Sequence, residues 1–547
     1  MKLLTRSRQV YLASLRSFAW GALLLFTLLP ASFLFGQATE GSILGTVTDN
    51  STAVVPDARI TVTNLDTNFV RSTQTNGDGE YVVPNLPIGH YTVSAEKAGF
   101  RKAVVPPVEM NLKARVRADL QLQVGETSQS IEVTGAASLL KTDSPEVSTL
   151  ITQEQLQSLP SQSRHFLGMA VLTPGVYMQW QGNNDRIGDF SGGASLNVNG
   201  LDSGQNNFIL DGVSNNLELT GGLNAVPPID AIREVSVQSN AYSAEFGRAG
   251  GSVVNIAMKS GTNQIHGFGY DYIQNDKFNA RPCDFTGTNP AKQPLRQNLF
   301  GGGVSGPIIK NRVFLFADYE GLRKPSTVLE SDTTPTALEK KGDFSQSGWT
   351  VYDPATQDAK GNRQPFSGNV IPQSRINPQL QALLSIFPDP NYKDPKPTIL
   401  TNYLGHDVNK DSRNTYTFKG DEILSSKDTM SMRFQKQLYN LDRSGWISQS
   451  AIGAKGSLNG TNAGWTYTHI FTPNLVNEAR AGWNYVNDGN APFSNEILPG
   501  LADIPGGIPN PGFPAFSIRN ISSTKAVRAP CRIRILSGRT RCSSWIT

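Results

Sequence analysis

The sequence predicts a mainly β protein with an N-terminal β-sandwich, a small α/β domain and the first part of a transmembrane antiparallel β-barrel. Short runs rich in β-branched and aromatic residues recur at roughly ten-residue spacing with turn residues between them, which is typical of a sandwich. Longer runs in the second half alternate apolar and polar residues, as barrel strands do. Only 17% of the 547 residues are charged, which excludes a coiled coil or a charged disordered chain.

The formal net charge of +4 comes from the two ends of the chain. Residues 1–36 carry four basic residues, residues 520–547 carry six, and neither segment has an acidic residue. The remainder holds 39 basic against 45 acidic residues, which gives no support to nucleic-acid binding through a basic surface. The three cysteines, Cys283, Cys531 and Cys542, fit neither a disulfide framework nor a metal site, so we expect no cofactor and no metal.

Residues 1–38 predict a secretory signal peptide. Four positive charges accompany an uncharged run from Phe18 to Leu29, which Pro30 and small residues up to Gly36 or Ala38 follow. An apolar run of about 12 residues is too short for a membrane-anchoring helix, which needs roughly 20. No later segment is apolar enough for a helical span, so a membrane role would have to come from β-strands.

Residues 40–125 contain short strand-like runs, and Asn76–Gly79 predicts a tight hairpin turn between two of them rather than a calcium loop. The segments GTVTDNSTAVVPDARITVTN and TQTNGDGEYVVPNLPIGHYTVSAEKAGF resemble the carboxypeptidase-regulatory-like domain, a prealbumin-like, Ig-like sandwich. A zinc peptidase is disfavoured, because none of the five histidines has Glu next to it or three residues after it. We therefore expect no catalytic residues and no enzyme activity.

Residues 126–261 mix helical and strand signals. Thr152 and Gln155 form a capping box for a short helix that Pro160 ends, and Ser163 is expected to cap a second helix that extends to Leu172. Short strands with Asn-Gly, Asp-Gly and Gly-Gly turns follow. The motifs ITQEQLQSLPSQSRHFLGMAVLTPGV, NVNGLDSGQNNFILDGVSNN and IDAIREVSVQSNAYSAEFGRAGGSVVNIAMKSGTN occur in the order seen in the plug of TonB-dependent outer-membrane receptors, and they resemble the Oar-like group in particular.

The segment SIEVTG, residues 130–135, resembles a TonB box, the extended segment that pairs with TonB. The resemblance implies that Ile131, Glu132, Val133 and Thr134 contact TonB by β-strand addition. The alternatives for this segment are the last strand of the sandwich or a linker. The glycine-rich stretches 247–251 and 301–303 lack the Lys-Ser/Thr ending of a phosphate-binding loop, so we assign them to close backbone approach in strands.

Residues 262–519 predict about seven barrel strands and a long outer loop at 325–412. In DTMSMRFQKQLY, one face carries Met430, Met432, Phe434 and Leu438, and the other carries Thr429, Ser431, Arg433, Gln435 and Gln437. NAGWTYTHIF and HGFGYDYI alternate in the same way, with Phe268, Tyr270 and Tyr272 on one face of the latter. We expect the apolar face to point outward to lipid in each strand.

The resembled receptors close a barrel of about 22 strands, so we expect the barrel here to be incomplete. The tail 520–547 has no strand alternation and no acidic residue, and we interpret it as out-of-frame translation. The alternative is a short basic C-terminal domain, but a segment of this length lacks the residues for a core.

The family resemblance implies a function in the outer membrane of a Gram-negative bacterium, among outer-membrane lipid. The substrate would be an oligosaccharide, peptide or chelate, imported by plug movement that TonB and its ExbB/ExbD complex energise. Trp180, Asn183 and Asn184 lie in a loop expected to face outward, where they suit stacking on or hydrogen bonding to a substrate; a solvated loop is the alternative. The alternative function is a cell-surface binding or adhesion protein that uses the sandwich and plug as interaction modules.

We predict that the exported protein begins near residue 37 to 39, because its charged, apolar and small-residue segments stand in signal-peptide order. Amino-terminal sequencing of the protein recovered from the cell envelope measures this directly. A sequence starting at Met1 would contradict the prediction.

Overall fold

The computed structural model describes residues 40–125, 130–132, 147–160, 164–179, 195–217 and 222–240, most of 242–280, 292–376 and 454–492, a few positions between 381 and 393, and residues 402–443 and 543–546. Most of this chain is strand, arranged as a sandwich, a plug and a partial barrel. No helix in these ranges is both long and apolar enough to cross a membrane.

The N-terminal sandwich consists of two sheets. One sheet holds β4–β1–β7 with β8 also paired to β1, and the other has the order β3–β2–β5–β6–β9. Alternating residues of both sheets fill a core that includes the fully buried Ile43, Ile60 and Tyr91. The strands are β1 (Gly41–Asp49), β2 (Arg59–Asn64), β3 (Val70–Gln74), β4 (Glu80–Leu86), β5 (Gly89–Glu96), β6 (Lys102–Met110), β7 (Arg115–Arg117), β8 (Leu120–Leu122) and β9 (Ser130–Glu132).

The turn at Asn76–Gly79 differs from the expected hairpin. It connects β3 and β4, which lie in different sheets, so it links the two layers of the sandwich. The Asn76 Oδ1 accepts hydrogen bonds from the amides of Asp78 at 3.0 Å and Glu80 at 2.8 Å, and Gly79 takes a positive φ of 71°. The hairpin prediction was wrong because turn residues specify a reversal of the chain but not which strands then pair.

The plug, which follows the sandwich in the chain, contains a mixed sheet in the order β10–β15–β16–β13–β14. Strands β13 and β16 of this sheet run parallel. Helix α1 (Gln153–Ser158) starts at Thr152 with the predicted capping box, so that prediction is confirmed. Helix α2 is shorter than predicted: it spans Leu167–Ala170 and has no side-chain cap, while Ser163 lies outside the described residues. The strands are β10 (Val147–Thr152), β11 (Val176–Gln179), β12 (Ser195–Val198), β13 (Asn207–Leu210), β14 (Val213–Ser214), β15 (Ile232–Asn240) and β16 (Val253–Met258).

The barrel wall is a sheet of eight strands in sequence order, each antiparallel to its neighbour. Within the described residues it stays open, because β17 has no neighbour on its outer side and β24 none on the other. The strands are β17 (His266–Asn275), β18 (Arg296–Ile309), β19 (Val313–Asp332), β20 (Tyr403–Ile423), β21 (Asp428–Arg443), β22 (Ala454–Thr472), β23 (Leu475–Pro492) and β24 (Ser543–Ile546).

The outer loop between β19 and β20 is shorter than the expected 325–412. The two strands pair continuously from Val313↔Glu422 to Asp332↔Tyr403, so the connection covers only residues 333–402. Apolar alternation fades where strands leave the lipid, although their backbone hydrogen bonds continue, and this hid the strand ends from sequence patterns. The first part of the loop is folded into short turns, which an Arg375–Asp353 ion pair and hydrogen bonds from the Asn369 amide hold together.

The two faces of strand β21 have the orientations that the sequence predicted. Met432 is 55% exposed and Phe434 40%, whereas Arg433, Gln435 and Gln437 on the opposite face are buried. The apolar side chains therefore face lipid and the polar ones face the interior, as a membrane barrel requires.

Strand β17 is the exception, because its aromatic face turns inward. Phe268 packs against the plug core, and the Tyr270 hydroxyl donates to Glu320 Oε2 at 3.2 Å. Glycines on the neighbouring strand make room for both rings: a Cβ at Gly303 would lie 2.6 Å from Phe268 Cζ, and one at Gly301 would lie 2.7 Å from the Tyr270 oxygen. The expectation that these aromatic residues face lipid was wrong, because alternation defines two faces without saying which one meets the plug.

We predict that residues 40–125 fold alone as a β-sandwich with a cooperative melt, since their core is self-contained. Replacing Tyr91, which is fully buried, with Ala should lower the free energy of unfolding by about 3–5 kcal/mol. Tyr91→Phe should cost only about 1 kcal/mol, the net value of the hydrogen bond that its hydroxyl donates to the Pro87 carbonyl. Urea titration followed by circular dichroism measures both, and a helical spectrum would contradict the prediction.

Candidate functional site: the contact between plug and barrel wall

The plug meets the wall through the turn between β13 and β14. Asp211 and Gly212 both take positive φ, 44° and 79°, which makes the turn tight enough to project into the wall. Val213, directly after it, packs where the wall has two glycines: a Cβ at Gly464 would lie 2.9 Å from Val213 Cγ2, and one at Gly482 would lie closer still. Small wall residues therefore form a recess that receives the turn of the plug.

A buried charge cluster surrounds this turn. Asp211 Oδ1 lies 3.3 Å from Lys419 Nζ of β20, and its Oδ2 lies 3.3 Å from Arg433 Nε of β21. Arg433 also donates to the Leu210 carbonyl at 3.1 Å, and Lys419 to the Met258 carbonyl at 3.3 Å. One carboxylate thus stands between two cations, and loss of the carboxylate would leave Arg433 buried without its counter-charge and Lys419 with only the influence of Asp421.

Amide side chains extend this contact along the wall. Asn224 of the plug donates to the Thr461 carbonyl at 2.9 Å, and the Val226 amide donates to Gln437 Oε1 at 2.9 Å. Asn462 of β22 and Asn484 of β23 both donate to the Ser214 carbonyl. Four successive wall strands, β20 to β23, therefore bind the plug through hydrogen bonds and ion pairs.

A second polar group lies near β17 and β19. Glu320 pairs with Arg413 at 2.7 Å and accepts the Tyr270 hydroxyl, and Asp230 of the plug pairs with Arg164 at 2.9 Å. The Arg164 guanidinium in turn lies 3.8 Å from the centre of the Tyr272 ring.

His165 of the plug is buried near Arg413, and burial followed by that positive charge holds the pKa of the imidazole well below its usual range. The ring is therefore neutral at physiological pH. It forms part of the packed plug and adds no charge to the interface with the wall.

This arrangement is suited to reversible contact rather than to bond chemistry. Apart from the packing of Val213, the links described above are hydrogen bonds and ion pairs, which water can replace one by one when the plug moves. Across the residues that the structure describes, no three His, Cys, Asp or Glu side chains are grouped so that they could hold a metal ion.

The predicted site residues lie elsewhere or outside the described chain. Ile131 and Glu132 belong to β9, which pairs in parallel with β6 of the sandwich, whereas Val133 and Thr134 lie outside the described residues. Trp180, Asn183 and Asn184 also lie outside them, between β11 and β12.

Sequence patterns missed the plug contact. Asp211 and Gly212 had been interpreted only as a turn, and Arg433 only as one polar residue of a strand. The signal that was available is the pair of charges, Lys419 and Arg433, on the inward faces of adjacent strands, because a buried charge needs a partner.

Three family models match consecutive parts of the chain. They are the carboxypeptidase regulatory-like domain at residues 42–123, the TonB-dependent receptor plug domain at 140–254, and an outer membrane beta barrel domain at 257–531, which covers half of the chain. Among curated proteins, the TonB-dependent transporter Oar of Myxococcus xanthus is 28% identical over 309 residues, which is 53% of this chain and 28% of the relative.

Solved structures of similar fold include the outer membrane transporter YddB from Escherichia coli, with 12% identity, a TM-score of 0.42, and coverage of 64% of this chain and 40% of that one. The siderophore receptor PirA from Acinetobacter baumannii has 16% identity and a TM-score of 0.31, with coverage of 64% and 49%. The chain therefore spans less than a third of the curated relative and at most about half of these solved chains.

We predict that Asp211→Asn loosens the plug. Asn tolerates the positive φ at this position, but the change removes the ion-pair partner of both Arg433 and Lys419, and breaking a buried charge pair costs about 3–5 kcal/mol. Hydrogen exchange of the β13 and β14 amides in detergent should rise accordingly. Adding Lys419→Met should recover part of the protection, because one unpaired cation is then gone.

The matched control is Asp78→Asn in an exposed sandwich turn, which should leave exchange in the plug unchanged. Equal protection of β13 and β14 in the Asp211→Asn protein and the unmodified protein would contradict the assignment of this cluster as the plug anchor.

Proposed function

This chain belongs to the TonB-dependent outer-membrane receptors, and from that premise we propose that it serves in energy-coupled import, with plug movement opening a path for the substrate. Its plug and barrel domains belong in the outer membrane of a Gram-negative bacterium. The family consists of receptors and transporters rather than enzymes. The alternative, a binding or adhesion protein, uses the same domains without energy coupling.

The observation that best supports import is the polar character of the contact between plug and wall. The plug is anchored at Asp211 by Lys419 and Arg433, and amide hydrogen bonds tie it to the wall strands β21, β22 and β23. A permanent plug would be better held by close-packed apolar side chains, because their burial resists water. Hydrogen bonds that water can replace allow a pulling force to separate plug from wall in small steps.

We place the pulling point at Ile131, Glu132, Val133 and Thr134. Ile131 and Glu132 lie in β9 at the edge of the sandwich, and Val133 and Thr134 follow them in the chain toward the first plug strand β10, so tension on this segment would be transmitted along the chain to the plug. TonB would bind it by adding a strand, which requires only backbone hydrogen bonds. The partners proposed here are TonB and, through it, the ExbB/ExbD complex.

We assign substrate contact to Trp180, Asn183 and Asn184, in the connection between β11 and β12. An indole ring stacks on a sugar or a peptide group, and the two amides supply donors and acceptors for its polar atoms. The substrate class is therefore an oligosaccharide, a peptide or a chelate with comparable polar groups.

We predict that Val133→Pro weakens binding of the purified periplasmic domain of TonB by about tenfold or more, because proline removes a backbone donor from the added strand. Ala137→Pro, a few residues beyond the segment, is the control and should bind normally. Surface plasmon resonance with the full chain in detergent measures both. Unchanged affinity of the Val133→Pro protein would exclude this segment as the TonB contact.

Energy dependence separates import from adhesion. Cells that carry the protein should accumulate a labelled oligosaccharide, peptide or ferric chelate, and a proton uncoupler should abolish the accumulation while surface binding remains. Binding that is insensitive to the uncoupler, with no accumulation of any probe, would favour the adhesion alternative.

A further inference from the structure

The sandwich lies at the end of the barrel where the connections are short. The wall strands β18 and β19, β20 and β21, and β22 and β23 are joined there by tight turns, while the loop 333–402 lies at the opposite end. Outer-membrane barrels have their short turns in the periplasm. The strand bounds bring Glu40, 65–69, 87–88 and 111–114 to one end of the sandwich, and this end contacts the barrel.

Hydrogen bonds join this end of the sandwich to the periplasmic rim. Asn68 Nδ2 donates to Asn311 Oδ1 in the β18–β19 turn at 3.0 Å, and the Asn263 amide donates to the Asp66 carbonyl at 2.9 Å. Asn263 also bonds to Asn311 through its side chain at 2.7 and 2.8 Å. The rim turn and the exit of the plug are therefore tied to one loop of the sandwich.

A second set of contacts joins the sandwich to the plug. The Leu112 amide donates to Glu234 Oε2 at 2.8 Å, and the Lys113 ammonium lies 3.8 Å from the centre of the Phe246 ring. The sandwich thus bridges the plug and the wall, so a movement of either one relative to the other must break contacts with it.

A group of charged side chains lies where the sandwich contacts β23. Glu40 and Arg71 of the sandwich lie beside Glu478 and Arg480 of β23, and Glu40 Oε2 is sealed from solvent without a hydrogen-bond partner among the described residues. Burial, followed by the charge of Glu478, raises the pKa of Glu40 to about 7, against the lowering effect of Arg71 and Arg480.

The docked sandwich, the plug and the wall together line a partly open chamber of about 210 Å³ below the plug. The sandwich contributes Asp66 and Phe69 to its wall, the plug Asp211 and Met258, and the barrel Lys419 and Asp421. Sites for organic ligands usually measure about 300–1,000 Å³, so in the docked position the chamber is smaller than a site for an oligosaccharide or a peptide.

We propose that the N-terminal sandwich is a periplasmic lid: docked on the part of the rim that β18–β23 form, it covers the space below the plug, and it must leave the rim before a substrate passes. The lid contacts described above are polar, which is typical of domain contacts that open and close. The gating role depends on the proposed import function, whereas docking itself can be tested without transport.

The docking test is chemical crosslinking of the full chain in detergent, with Cys283, Cys531 and Cys542 replaced by Ser. The pair Asn68→Cys and Asn311→Cys should be joined by a short bismaleimide to near completion. The control pair is Asp78→Cys and Asn311→Cys, because Asp78 lies at the far end of the sandwich, about 20 Å away along strand β4. Equal crosslinking of the two pairs would overturn the docked position.

The opening test uses Thr262→Cys, a position that lines the chamber, and a bulky PEG-maleimide that is too large to enter it. Asn311→Gly with Lys113→Gly removes two lid contacts and retains the positive φ of both residues, 63° and 57°. Labelling of residue 262 should then accelerate about tenfold, equivalent to about 1.4 kcal/mol of docking free energy.

The control for opening is Thr52→Gly with Asp57→Gly, two exposed positive-φ positions at the far end of the sandwich, which should leave the labelling rate unchanged. Equal rates in the loosened and control proteins would overturn the lid.

Crosslinking the 68–311 pair with a reducible reagent then tests gating. Uptake should stop while surface binding persists, and reduction should restore uptake. Uptake that continues with the lid crosslinked would overturn gating. Absence of uptake even without a crosslink, together with selective docking, would instead contradict the proposed import function.

Discussion

Every other feature of the wall depends on one constraint: a strand in a bilayer must present apolar side chains to lipid and must pair all its backbone groups with neighbouring strands. Because side chains alternate, a lipid-facing row of Met430, Met432 and Phe434 places Ser431, Arg433 and Gln435 on the inner face. The interior of the barrel is therefore polar, and whatever fills it must match polar groups rather than apolar ones.

This constraint explains the composition of the plug surface. Lys419 and Arg433 of the wall form ion pairs with Asp211 of the plug and donate hydrogen bonds to the main-chain carbonyls of Met258 and Leu210. Apolar contacts between plug and wall also exist: Phe268 and Phe316 pack with the plug core, and Val213 fills the recess at Gly464 and Gly482. The plug is stable as a folded unit, while the hydrogen bonds and ion pairs of its attachment can be replaced by water, and a movable plug requires this combination.

Local sequence patterns predicted the features that depend on residues close together in the chain, namely strand faces and helix caps. The capping box at Thr152 and the two faces of β21 follow from residues a few positions apart, and both are confirmed. Partners distant in sequence were not predictable. Asn76 specified a turn but not the sheet of the next strand, Phe268 and Tyr270 face the plug instead of lipid, and Asp211 is 208 positions from Lys419, with no local pattern to connect them.

At the periplasmic end of the barrel, the sandwich contacts both the plug and the wall. If the plug separates from the wall at the periplasmic end, a domain that contacts both must lose its contacts with one of them. The contacts of Asn68 with Asn311 and of Leu112 with Glu234 join the sandwich to wall and plug at once. Force applied between the sandwich and the plug, in the segment that follows β9, would load the lid contacts and the Asp211 anchor together. Opening of the exit and release of the plug are then two consequences of one pull rather than independent events.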